Sequence, residues 1–61
     1  MNAERLLYNQ AETCELINVS KATLYRLIRD GAITPLKIGS ATRFTRSELE
    51  RFIEVLAAQA V

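Results

Sequence analysis

The 61-residue sequence predicts a mainly α-helical domain of three helices and one small β-hairpin, in the order helix, turn, helix, hairpin, helix. Three observations carry this expectation. Asn9, Ser20 and Thr45 each stand where a helix can start. Apolar residues recur at i, i+3 and i+4 behind each of them. Pro35 and Gly39 then interrupt the stretch between the second and third helices.

The first element, Glu4 to Tyr8, is short and apolar at Leu6 and Leu7, as expected of an extended lead-in or a frayed end. Asn9 can cap the free N–H groups of a helix Gln10 to Ile17, and Glu12 can reach back to complete a capping box. Thr13, Leu16 and Ile17 share its apolar face, with Cys14 beside it as a small buried hydrophobe rather than a reactive thiol. Asn18 tolerates the left-handed backbone that ends helices. Ser20 caps the second helix, Lys21 to Asp30, so only about three residues separate two helices that must cross steeply. Leu24, Leu27 and Ile28 face inward. At about 100° per residue, Ala22, Arg26 and Arg29 point outward, flanked by Thr23 and Tyr25. Gly31 closes the helix.

Ile33, Thr34 and Pro35 read as a linker. Leu36-Lys37-Ile38 and Thr42-Arg43-Phe44 read as two strands around the loop Gly39-Ser40-Ala41. Alternation then places Leu36, Ile38, Thr42 and Phe44 on one face, and Lys37 and Arg43 on the other. Such a hairpin must lean on the helices. Thr45 caps again, with Glu48 completing a second box. The last helix, Arg46 to about Ala60, is expected to bury Leu49, Phe52, Ile53 and Leu56, and to carry Glu50, Arg51 and Glu54 outside.

Composition narrows the function. Apolar residues make up 49% and charged residues 25%, with two Gly and one Pro, which suits a compact soluble domain rather than a disordered tail. The length suits one domain over residues 1–61, with a small core whose stability is marginal unless a partner adds to it. A single cysteine excludes an internal disulfide, and the absence of histidine excludes a Cys/His zinc site. No cofactor is expected, and no nucleophile stands beside a base, so an enzyme is not expected either. The apolar runs are too short to span a bilayer, and Met1 to Arg5 lack the pattern of a secretion signal, so the expected location is the cytoplasm.

Net charge is only +1, but it is unevenly spread. From Ser20 to Ser47, Lys21, Arg26, Arg29, Lys37, Arg43 and Arg46 stand against Asp30 alone, for a local net of +5. The flanks set Arg5 and Arg51 against Glu4, Glu12, Glu15, Glu48, Glu50 and Glu54, for −4. Such a split gives one face that attracts a polyanion and one acidic face. The alternative is the ordinary charge of solvated helix surfaces.

The segments Val19-Ser20-x-x-Thr23-Leu24-Tyr25-Arg26-Leu27-Ile28-x-x-Gly31 and Lys37-Ile38-Gly39…Arg43-Phe44, in this order and spacing, carry a resemblance. The chain from about Leu7 to Ile53 resembles the excisionase and AlpA-like family of small DNA-binding proteins, relatives of the MerR-type winged helix-turn-helix. Asn18 stands where such proteins usually have Gly, and the wing tip Ser40-Ala41 lacks the basic residues often found there. The resemblance implies a winged helix-turn-helix whose second helix enters the major groove while the hairpin touches backbone or minor groove. The DNA-facing residues it implies are Ser20, Lys21, Ala22, Thr23, Tyr25, Arg26 and Arg29 from the helix, Lys37, Ser40 and Arg43 from the wing, and Arg46.

Their chemistry agrees with that role. Arg26 suits a bidentate contact to guanine, while Thr23 and Ala22 suit hydroxyl and methyl contacts. Lys21, at a helix N-terminus, suits a phosphate. Tyr25 is either a phosphate contact through its hydroxyl or a half-buried aromatic with a wet tip. Arg29 is a phosphate contact or a solvated charge, and Lys37 and Arg43 hold the backbone beside the wing. Arg46 is a phosphate contact or an i,i+4 partner of Glu50. Two functions share this surface: an excisionase that bends attachment-site DNA, alongside further copies of itself or an integrase, and a transcription regulator. A protein-interaction module of the same fold is the reading from another class, and such a module has no need of the +5 segment.

Overall fold

The computed structural model describes residues 5–59. Strand β1 (Leu7–Tyr8) leads into α1 (Gln10–Ile17) and α2 (Lys21–Arg29), then β2 (Leu36–Ile38), β3 (Ala41–Thr45) and α3 (Arg46–Gln59). The strands form an antiparallel sheet in the order β1-β3-β2. The molecule is a winged helix-turn-helix, mainly helical, with β1 added as a third strand to the hairpin. The lead-in is therefore extended and paired at Leu7 and Tyr8; its start at Glu4, the signal region Met1 to Glu4 and the helix end at Ala60 lie outside the described residues.

Local chemistry sets the ends of the first two helices. The Asn9 side chain accepts from Glu12 N–H at 2.8 Å, and the Glu12 carboxylate accepts from Asn9 N–H at 2.9 Å, a complete capping box. Asn18 is left-handed (φ 59°), and Val19 N–H returns to Cys14 O at 2.9 Å. Ser20 Oγ then accepts from Thr23 N–H at 3.1 Å and starts α2. That helix stops at Arg29, one residue before the expected Asp30, which serves as the C-cap. Gly31 (φ 82°) follows, with Gly31 N–H on Ile28 O at 3.1 Å and Ala32 N–H on Leu27 O at 2.9 Å. These two bonds are the Schellman pattern.

The core joins one or two residues from each of several elements: Leu24, Ile33, Phe44, Leu49 and Phe52, with the side chain of Thr13. Cys14, Ile17, Leu27 and Ile28 pack against it half-buried, as expected. Several expectations need correction. Ile33 is a core residue, not a linker residue, because the Schellman turn folds the chain back and Ile33 N–H also reaches Leu27 O at 3.3 Å. Leu16, Ile53 and Leu56 are exposed by 57%, 46% and 45% although their spacing is helical. Leu49 and Phe52 are the buried residues of α3, so the core ends before Ile53.

The hairpin faces also differ. Its loop is Gly39-Ser40 alone, with φ 63° at Gly39 as the first position of a two-residue hairpin turn requires. Ile38 then faces Ala41, Lys37 faces Thr42 and Leu36 faces Arg43. Paired residues share a face, so Lys37 joins Thr42 and Phe44, while Arg43 joins the exposed Leu36 and Ile38. Shortening the loop by one residue turns every side chain of β2 over relative to β3. The second capping box is half-formed. Thr45 Oγ1 accepts from Glu48 N–H at 3.1 Å, but the Glu48 carboxylate turns to Thr34 N–H and to Arg51. These charge-assisted bonds outcompete the return to the cap.

Candidate nucleic-acid interface

The helix α2 is strongly sided. Leu24 is fully buried and Leu27 and Ile28 are half-buried, which leaves Lys21, Ala22, Tyr25, Arg26 and Arg29 exposed along the opposite side. Ser20 and Thr23 lie at its start, where Ser20 Oγ donates to Thr23 Oγ1 at 3.0 Å. The Thr23 hydroxyl hydrogen is thereby left for another acceptor. On the wing, Lys37 and Ser40 are exposed and Arg43 is half-buried.

Ion pairing sorts the cations by location. Arg5 pairs with Glu12 at 2.6 Å, Arg46 with Glu50 at 3.0 Å and Arg51 with Glu48 at 2.6 Å. Arg29 approaches Asp30 at 3.6 Å, with both side chains largely in solvent. Among the described residues, Lys21, Arg26, Lys37 and Arg43 have no carboxylate partner. These four all belong to α2 or the wing. The acids of the flanks neutralise the flanking arginines, so the unspent positive charge is concentrated on α2 and the hairpin.

Two of the candidate contacts have partners within the chain. Arg46 Nε donates to Glu50 Oε2, the i,i+4 arrangement. Tyr25 is 49% exposed and its hydroxyl donates to Gln10 Oε1 at 3.2 Å, an aromatic with a wet tip tied to α1. Gln10 was not singled out by the sequence. It lies 15 residues from Tyr25, and only the crossing of α1 over α2 brings the two together.

Near the cations, Glu12 is held below the ordinary glutamate range, first by Asn9 N–H and then by Arg5. Among the described residues, no three His, Cys, Asp or Glu side chains are grouped to hold a metal, and no helix is long and apolar enough to cross a membrane.

A family model described as a helix-turn-helix domain matches residues 7–54, from β1 into α3 and so most of the chain. No curated protein and no solved structure matches it.

Proposed function

Because the chain belongs to the helix-turn-helix domain family, which includes the AlpA- and excisionase-type small DNA-binding proteins, we propose that this DNA-binding protein is an excisionase. In this reading it binds and bends attachment-site DNA. The observation that carries the reading is the gathering on α2 and the wing of Lys21, Arg26, Lys37 and Arg43, which have no carboxylate partner among the described residues.

The helix α2 lies in the major groove, which is wide enough for a helix and offers a distinct pattern at each base pair. Arg26, exposed and without an acid partner among the described residues, reads guanine O6 and N7. Thr23 offers its hydroxyl and Ala22 its methyl, the latter suited to thymine. Lys21, Arg29 and Arg43 hold phosphates, with Ser20 setting the first turn of α2. Lys37 and Ser40 meet the backbone beside the wing, as do Arg46 and Tyr25 once each exchanges its internal partner for phosphate. Residues 1–61 act as one domain in the nucleoid, in the cytoplasm. Further copies or an integrase bind beside it on the DNA.

The test is a gel-shift titration comparing DNA that flanks the gene and any neighbouring integrase site with random duplex, followed by circular-permutation bending analysis. Preferential binding with a bend supports the excisionase. Preferential promoter binding without a bend makes it a transcription regulator. Absence of salt-dependent DNA binding returns the fold to a protein-interaction role.

A further inference from the structure

Where the first turn of α1, the start of α2 and strand β3 meet, there is a cleft of about 400 Å³ lined by Asn9, Gln10, Ala11, Lys21, Thr42 and Arg43. Two cations from different elements line the same space, and neither has a carboxylate partner among the described residues. The neighbouring acid, Glu12, feels the charge of Arg43 but makes its hydrogen bonds elsewhere. Its Oε1 accepts from Arg5 Nη2 at 2.6 Å and from Asn9 N–H at 2.9 Å. Arg43 donates one Nη1 bond to Thr42 O at 2.9 Å, which steadies the guanidinium and leaves donors over. Gln10 gives its carbonyl to Tyr25, so its amide N–H groups remain to donate.

Three sets of donors, two of them cationic and from different elements, thus line one open cleft. We propose that this cleft seats a single phosphodiester group of duplex DNA, held jointly by Lys21 and Arg43 with Gln10 donating from α1. The proposal rests on the DNA-binding reading above and adds to it that two cations serve one phosphate.

Counterion release counts phosphates neutralised, at about 0.9 of slope in log K against log salt for each. Two cations on one phosphate therefore contribute about 0.9 together, whereas on two phosphates they contribute about 1.8. The experiment titrates a fluorescent random-sequence duplex with the full chain at several salt concentrations. It compares wild type with Lys21→Ala, Arg43→Ala, the double variant and Gln10→Glu, each first shown by circular dichroism to melt like wild type. Lys21→Gln and Arg43→Gln replace any alanine variant that does not. Each single variant is expected to weaken binding while lowering the slope by much less than 0.9, and the double variant to lower it by about 0.9. Gln10→Glu, which puts a carboxylate in the seat, is expected to weaken binding severalfold. Single losses of about 0.9 that add to about 1.8 overturn the shared seat while leaving DNA binding intact. An unchanged slope in the double variant overturns it too. A wild-type protein without salt-dependent binding removes the DNA-binding reading, and the seat with it.

Discussion

Arg51 grips Glu48 along one turn of α3, with Nε donating to Oε1 at 3.1 Å and Nη2 to Oε2 at 2.6 Å. The same Nη2 donates to Ala32 O at 2.8 Å, and Glu48 Oε2 accepts from Thr34 N–H at 2.9 Å. The pair thereby holds the backbone on both sides of Ile33, which is 1% exposed. A surface ion pair alone contributes little. This one also satisfies two backbone groups and anchors a core residue that no helix or strand carries.

Glu48→Gln is therefore expected to destabilise the fold by about 1 kcal/mol, lowering the melting temperature by about 4–8 °C in a domain of this size. Arg51, first, and Thr34 N–H hold the Glu48 carboxyl below the ordinary 4.5. A depressed folded value means stability that is fully present above 4.5 and is lost as pH falls through the folded value. Thermal melts across the acid range should show this fall, and a shallower one in Glu48→Gln. Identical acid limbs in the two proteins would place the acid sensitivity elsewhere.

Thr13 is fully buried, and its hydroxyl has no hydrogen-bond partner among the described residues. Its own N–H already occupies Asn9 O at 2.9 Å. A buried hydroxyl without a partner costs about 1–3 kcal/mol, and valine has nearly the same shape. Thr13→Val is expected to raise the melting temperature by several degrees, read by circular dichroism. A decrease would show that the hydroxyl is satisfied in solution.

Ser20→Ala removes the acceptor for Thr23 N–H and the partner of the Thr23 hydroxyl. Loss of a cap costs about 0.5–2 kcal/mol. The first turn of α2 also carries Lys21 and Thr23, so weaker DNA binding should accompany the lower melting temperature. If stability falls while affinity stays, the first turn does not face DNA.

Arg26 and Lys37 separate reading from holding. Arg26→Ala is expected to cost about 1–3 kcal/mol on the specific site and much less on random duplex. Lys37→Ala should weaken both duplexes alike and lower the salt slope by about 0.9. Paired titrations at two salt concentrations decide this. Equal losses for Arg26→Ala on both duplexes would make Arg26 a phosphate contact and move base reading to Thr23 or Ala22.

What the sequence by itself determined is the chemistry that acts within a few residues. Asn9 and Ser20 as caps, Asn18 and Gly31 as left-handed stops, and the inward run of Leu24, Leu27 and Ile28 all follow from neighbours along the chain. So does the positive middle segment, because charge is a property of composition. Tertiary structure alone decided which helical faces found a partner. Leu49 and Phe52 meet Phe44 in the core, while Ile53 and Leu56, on the same stripe, run past the end of a core too small to cover them. It also decided that Ile33 turns inward and that Gln10 meets Tyr25. The faces of Lys37 and Arg43 were set by one residue of loop length, because a strand alternates with period two and a shift of one in pairing moves each side chain to the other face.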